Sequence, residues 1–241
     1  MKIEGTAALV TGASRGLGEE LAVALARKGA KVVLVARDEK ELSRVRARIT
    51  SEGGSAFAVA ADVADKDAVY RVAGAAAAAV GPIDLLVHNA GTLGPVPLEL
   101  LLDTACEDLE RAFAVNVLGP FRLTKAIAGA MALRGHGTIV GVTTDAAVNA
   151  YETWGAYGVT KAALEHLLRS FDAELGKQGV RFIAVDPGEM DTVMHRDALP
   201  DADPSTLAKP AAIAARLVAL LEADQANDPK RFVRAELGGG S

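Results

Sequence analysis

Two rhythms of apolar residues take turns along this chain. Short continuous apolar runs at 6–11 (TAALVT) and 31–36 (KVVLVA) flank a stretch, 19–28, whose apolar positions fall at helical spacing and which stops at Gly29. Runs of that length between turn residues predict buried strands, and the helical period between them predicts a strand–helix–strand unit. The alternation continues with a helix at 39–51 closed by Gly53-Gly54, a strand at 56–61, an alanine-rich helix around 74–80 and a strand at 83–88. Thr104 and Glu107 have capping-box spacing and predict a long helix to about Leu133, bent at Gly119-Pro120. A strand at 138–142, a helix at 157–176 and a strand at 180–185 follow. Residues 189–209 hold two prolines and many acids, and read as a mobile loop or a short helix forming a lid. Pro210 opens a final amphipathic helix to Glu222, 232–235 reads as a short edge strand, and the closing Gly-Gly-Gly-Ser reads as a disordered tail. No linker or shift in composition divides the chain. These features predict one domain over 1–241: an α/β fold with a single doubly wound parallel sheet, helices on both faces, and the ligand at the carboxyl ends of the strands.

Composition narrows the function classes. Among 241 residues, half are apolar and 24% charged, the balance of an ordinary soluble enzyme. A net charge of −5 provides no basic field for nucleic acid or an anionic membrane. No apolar run reaches the length of a membrane span, and the single cysteine, Cys106, excludes an internal disulfide framework, so a cytoplasmic setting is expected. The four histidines show no ligand spacing, and no metal is expected.

The turn after the first strand is Thr11-Gly12-Ala13-Ser14-Arg15-Gly16-Leu17-Gly18. Glycines there let backbone approach a phosphate, and a helix N-terminus behind them supplies oriented N–H donors. The pattern is neither a P-loop nor G-x-G-x-x-G. Dinucleotide folds that prefer NAD carry an acid at the end of the second strand, where this chain has Val35-Ala36-Arg37. With Arg15 and Arg37 placed to meet a 2′-phosphate, NADP(H) is expected over NAD(H), although Asp38 stands close by.

A second constellation is Tyr157-Gly158-Val159-Thr160-Lys161, which puts a phenol and an ammonium on one helix face. A free phenol has a pKa near ~10, and a neighbouring cation favours its phenolate. A drop of roughly three units requires about 4 kcal/mol, more than one lysine readily supplies.

With these pieces in order, the chain resembles the short-chain dehydrogenase/reductase family in its compact, single-domain, Rossmann-type form. The resemblance rests on TGASRGLG at 11–18, Asp62-Val63, HNAG at 88–91, Asn116, the Tyr157/Lys161 pair and PGEMDT at 187–192. It implies that Tyr157 exchanges a proton with the substrate oxygen, that Lys161 tunes the phenol and binds the nicotinamide ribose, and that Asn116 holds a water linking Lys161 to solvent. The cofactor's own positive charge would then share the tuning. The resemblance also implies cofactor contacts from Gly12, Ser14, Arg15, Gly16, Leu17, Gly18, Arg37, Asp62, Val63, Asn89, Ala90, Gly91, Pro187, Gly188, Met190 and Thr192. His88 replaces the first asparagine of the family's N-N-A-G. Thr144 stands thirteen residues before Tyr157, where the family carries the serine that polarises the substrate carbonyl, and is preferred over Thr143. A threonine hydroxyl keeps the serine's hydrogen-bonding capacity.

Together these readings imply an NADP-dependent oxidoreductase moving hydride between the nicotinamide and a carbonyl or secondary alcohol, as a ketone or aldehyde reductase. A catalytically inactive NADP-binding sensor is the alternative, and the reverse, alcohol-oxidising direction uses the same residues. Tyr151, Trp154, Met190 and Met194 suggest a mostly apolar substrate wall beside Thr144; packing or a subunit contact explains the same side chains equally well. The resemblance further implies a homodimer or homotetramer and a small-molecule substrate.

Overall fold

The computed structural model describes residues 1–223 and 232–238. Among these, seven strands form one sheet: β1 (Ala7–Thr11), β2 (Lys31–Ala36), β3 (Ser55–Ala60), β4 (Leu85–His88), β5 (Gly137–Val142), β6 (Val180–Asp186) and β7 (Val233–Glu236). Their order is β3-β2-β1-β4-β5-β6-β7, every pair parallel. The helices are α1 (Gly16–Arg27), α2 (Glu39–Ser51), α3 (Lys66–Val80), α4 (Cys106–Phe113), α5 (Gly119–Arg134), α6 (Gly155–Leu175), α7 (Val193–Ala198) and α8 (Pro210–Ala223).

Side chains on a strand alternate faces, so each run of Val, Leu and Ile feeds two cores. Val10, Val32, Leu34, Val87, Val140 and Ile183 point to one core, shared with Leu21 of α1, Val45 of α2 and Leu217 of α8. Leu9, Val33, Val35, Leu86, Ile139 and Phe182 point to the other, shared with Val72 of α3, Ile127 of α5 and Leu168 of α6. Strand order reverses between β1 and β4, the position at which such sheets carry their ligand crevice outside the carboxyl ends. The doubly wound sheet predicted from the sequence is the observed one.

Differences lie mainly at boundaries. The helix expected from Thr104 to about Leu133 is broken. The Thr104 hydroxyl donates to the Leu100 carbonyl at 3.0 Å instead of capping a helix, and α4 begins after Ala105 with no side-chain cap. A π-helical turn (Ala114–Leu118) separates α4 from α5, so the irregularity expected at Gly119-Pro120 begins one turn earlier. A Cβ on Gly119 would lie 2.7 Å from the Val63 carbonyl oxygen, which is why a glycine stands there. The alanine-rich helix starts upstream, at Lys66, where the Asp65 side chain accepts from Asp67 N and Ala68 N. The 189–209 segment contains α7 and a 3-10 turn (Pro204–Thr206), and is tied down by Ala208 N donating to Glu189 O and Asp191 N to Ala208 O. The edge strand pairs parallel with β6. Of the expected disordered tail, Gly238 is described; 239–241 lie outside the described residues.

Candidate active site

At the crevice, β1 ends on Thr11, whose hydroxyl donates to Val87 O (3.1 Å) and accepts from Asn89 N and Ala90 N. Asn89 Nδ2 in turn donates to Thr11 O and Gly12 O at 3.0 and 3.1 Å. This lacing draws the turn after β1 against the turn after β4. Gly12 sits at φ +66° with Asn89 and Ala90 under 3 Å from any Cβ it might carry. A Cβ on Gly18 would overlap the Gly12 carbonyl oxygen and Asn89 Nδ2. The chain therefore keeps its backbone bare here, directly ahead of α1, whose N-cap residue Arg15 offers no side-chain cap. His88 does not share this bracing. It is 2% exposed and hydrogen-bonds Thr124 Oγ1 on α5 at 2.8 Å, and burial first, then Lys161, lowers its pKa from 6.5 to about 3.

Arg15 and Arg37 are both exposed beside this turn. Asp38 is the side-chain cap of α2, accepting from Lys40 N (2.9 Å) and Glu41 N (3.1 Å), so its carboxylate is committed to the helix. Arg44, which sequence reasoning missed, donates to the Ser14 carbonyl at 3.1 Å and to Glu19, and so buttresses the glycine turn from α2. Only the fold brings α2 against α1, and no local pattern announces the contact. Asp62 accepts from Ala64 N (2.9 Å) and from Arg111 Nη2 of α4 (2.6 Å). Burial opposes its charge, but that N–H and the guanidinium outweigh burial and hold its carboxyl below the ordinary carboxylate value.

Three side chains a helical turn apart on α6, Tyr157, Lys161 and Glu165, are each at most 9% exposed. Lys161 Nζ donates to Val142 O at 2.8 Å and lies 5.5 Å from the centroid of the Tyr157 ring. A Cβ on Gly91 would meet Asn116 Oδ1 at 3.4 Å and Lys161 Nζ at 3.5 Å, so Gly91, Asn116 and Lys161 are close neighbours. Asn116, fully buried in the π-helical turn, accepts from Thr92 N (2.9 Å) and donates to Thr92 O and Thr160 Oγ1 (both 2.8 Å).

In the protein without its cofactor, burial dominates the ionisation of both groups. Burial, then Asp186 and Asp145, raise the Tyr157 pKa above its ordinary 10, and burial lowers Lys161 from 10.5 to about 8. Desolvation disfavours both charged forms more than their proximity stabilises them.

The two candidate threonines separate cleanly. Thr143 is buried and donates to Glu165 Oε1 at 2.7 Å. Thr144, the next residue and so on the opposite side, donates to Asp145 Oδ1 (3.1 Å) and accepts from Ala146 N (3.3 Å) in a 3-10 turn (Asp145–Ala147). That turn lies against α6, where a Cβ on Gly158 would be 2.7 Å from the Ala146 carbonyl oxygen.

Leu93, Ala146 and Tyr157 form a small apolar cluster with Leu98, Trp154, Met194 and Ala198. The Trp154 indole meets the Tyr157 ring edge-on at 5.9 Å. Trp154 and Met194 thus stand at the phenol, joined by Leu93, Leu98 and Ala198, which sequence reasoning missed because neither the 92–104 loop nor the six-residue α7 is long enough to show a periodicity. Met190 does not belong to this wall: it packs against the α1/α8 core and bridges to Ala208. Its place two residues after Gly188 turns it inward, away from Tyr157's cluster. Tyr151 is 46% exposed and spends its hydroxyl on Asp145 Oδ2 at 2.6 Å. Thr192 caps α7, with its methyl 3.5 Å from where a Cβ on Gly16 would stand. Gly188, at φ +67°, donates its N–H to Asp186 Oδ1 at 2.9 Å, which shapes the Pro187-Gly188 turn.

The glycine turn, the α6 pair and the Pro187–Thr192 segment therefore meet along one edge of the sheet. Comparison with known proteins agrees with this arrangement. The short chain dehydrogenase family model matches residues 6–203. The chain is 33% identical over 188 residues to the 7alpha-hydroxysteroid dehydrogenase of Escherichia coli, covering 78% of this chain and 72% of that protein. A solved 7alpha-hydroxysteroid dehydrogenase complexed with NADH and 7-oxo glycochenodeoxycholic acid superposes with a TM-score of 0.88 at 29% identity, over 99% of this chain and 95% of that one. A metagenomic short-chain oxidoreductase in complex with NADP superposes at 0.82 with 31% identity, over 100% and 99%. The chain belongs to the short-chain dehydrogenase/reductase family of oxidoreductases.

Proposed function

We propose that this protein is an NADP(H)-dependent carbonyl reductase, working on a ketone or aldehyde with Tyr157 as the proton donor. The observation that carries this reading is the convergence of Tyr157, Lys161, Asn116 and the Thr144 turn beside the bare glycine cradle. The cradle suits a dinucleotide: side chains are excluded where a pyrophosphate would lie, and α1 presents an N-terminus without a side-chain cap. Gly12, Ser14, Gly16, Leu17 and Gly18 would hold the phosphates. Arg15 and Arg37 would hold a 2′-phosphate, Asp62 and Val63 the adenine, and Asn89 to Gly91 with Pro187, Gly188 and Thr192 the nicotinamide half. The exposed guanidinium groups of Arg15 and Arg37 support NADP(H) over NAD(H), with the Asp38 carboxylate held over the N-terminus of α2 by its two cap bonds. The solved relatives include both cofactors.

The bound nicotinamide supplies the hydride carrier. Thr144 Oγ1 would turn its one proton from Asp145 Oδ1 to the substrate oxygen, and Tyr157 protonates that oxygen as negative charge develops. Lys161 binds the nicotinamide ribose, and Asn116 steadies the Thr92 backbone beside it. Retention of the phenol's proton, which burial enforces, suits an acid in the reductive direction. In the oxidative direction Lys161 would have to help release that proton, aided by the positive charge an oxidised nicotinamide would supply. Trp154, Met194 and Leu93 form the apolar side of the substrate site, with 189–209 as its covering segment.

An NADPH-consumption screen across ketones, aldehydes, quinones and keto esters tests the proposal, with Tyr157→Phe as blank. The wild type is expected to turn over at least one class. Tyr157→Phe should bind NADPH but lose roughly 10²–10⁴-fold in rate, the range for general acid–base catalysis. Thr144→Ala should bind NADPH normally and lose turnover. Silence across the panel with intact NADPH binding would instead mark a sensor.

A further inference from the structure

Resting on the reductase reading, we infer that Arg234 is a positioning residue for the Thr144 turn, delivered from the far end of the chain by β7. The guanidinium reaches three segments at once. Its Nη2 donates to the Thr144 carbonyl and to Asp186 Oδ2, both at 3.2 Å, and its Nε donates to Glu165 Oε1 at 3.1 Å. Nη1 meets Glu236 Oε1 at 2.7 Å on the same strand. Thr144 bears the hydroxyl assigned to the substrate oxygen. Asp186 shapes the Pro187-Gly188 turn through the Gly188 N–H, and Glu165 lies one helical turn beyond Lys161 and also accepts from Thr143. The planar fork of arginine suits such simultaneous bonding, which a single ammonium cannot reproduce.

The surrounding backbone supports the same role. Leu237 N donates to Asp186 O at 2.7 Å, and a Cβ on Gly188 would lie 2.6 Å from Gly238 Cα, so the end of β7 lies directly on the Pro187-Gly188 turn. The Arg234, Glu165 and Asp186 side chains are 18%, 6% and 10% exposed, so water replaces these bonds poorly. In the sequence, Arg234 is one basic residue in a short amphipathic stretch behind the last helix, about ninety residues from Thr144.

The test uses the full chain and a carbonyl substrate found in the screen, with turnover counted per NADPH-binding site so that unfolded protein drops out. Arg234→Met is expected to lower kcat about 10- to 100-fold, the scale of a misplaced catalytic group. NADPH Kd should stay within about twofold and KM should change less than kcat. Arg234→Lys should recover part of the loss, and Glu236→Gln should leave kcat unchanged. Two buried carboxylates lose the guanidinium, Asp186 and Glu165, of which Glu165 keeps Arg169 at 3.5 Å; the double variant E165Q/R234M neutralises Glu165 and leaves Asp186 charged. It should regain part of the thermal stability but not turnover, because Thr144 and Asp186 remain unheld. Full turnover per site in Arg234→Met, or its restoration in the double variant, would overturn the inference. A wild type with no turnover in any class would instead remove the reductase reading, and with it any role for Arg234 in that reaction.

Discussion

Lys161 shows at the residue scale how this site opposes the fold that builds it. Burial lowers its pKa from 10.5 to about 8, so keeping the ammonium charged below pH 8 costs the cofactor-free protein about 3 kcal/mol. The unfolded chain binds this proton more tightly than the folded one. The contribution of Lys161 to stability therefore rises with pH between about 8 and 10.5 and is most unfavourable below 8. Lys161→Met should raise the urea midpoint at pH 7, by roughly 1–3 kcal/mol in free energy, while abolishing turnover. The gain should shrink toward pH 10, where the wild-type lysine is neutral. Loss of its bond to Val142 O offsets part of it. Equal stability of the two proteins at pH 7 would show that the ammonium keeps its hydration. Gly12 and Gly18, by contrast, could be read from sequence, because close backbone approach admits no other residue.

At the scale of elements, the helix from α4 through α5 is most informative. The sequence predicts one long helix bent at Gly119-Pro120, yet the π-helical turn interrupts it a turn earlier, where Asn116 must face Thr92 and Thr160. Asn116 satisfies both backbone groups of Thr92, so Asn116→Ala leaves them to find other partners. The substitution should destabilise the protein by roughly 2–3 kcal/mol in denaturant unfolding and speed amide exchange at Thr92. Unchanged exchange there would mean that water replaces the amide at no cost. The capping-box expectation failed for a related reason. Thr104 has a carbonyl within reach at Leu100, and the 98–104 segment turns on itself before α4 starts. Local spacing identifies a possible cap, but tertiary contacts choose which backbone group its hydroxyl meets.

For the whole molecule, the sheet order sets which strand ends become neighbours. A ligand bound along that edge contacts segments from most of the chain and should stabilise all of it. NADPH at a hundred times its Kd should add about 2.7 kcal/mol, an increase of about 5–10 °C in Tm. At equal concentration NADH should shift Tm less, and Arg37→Ala should narrow the difference. A larger shift with NADH would reverse the cofactor assignment. Leu118, Phe121 and Val159 are 41%, 38% and 43% exposed on neighbouring helices, and light scattering would report whether this face forms the homodimer or homotetramer that the family resemblance implies. Among the described residues, no helix is long and apolar enough to cross a membrane.

The alternation of apolar runs with helical periods by itself determined the layered parallel sheet, because burial on both faces leaves such strands few other arrangements. It also determined the glycine turn and the shared face of Tyr157 and Lys161, since these depend on local backbone geometry and a fixed helical repeat. Only the tertiary structure decided that Met190 packs against the α1/α8 core while Met194 meets Tyr157, and that burial lowers the Lys161 pKa. It alone brought Arg44 to the glycine turn and Arg234 to Thr144. The physical reason is common to all four. Each depends on what a side chain meets across space, and neither periodicity nor spacing records the desolvation and hydrogen-bond partners found there.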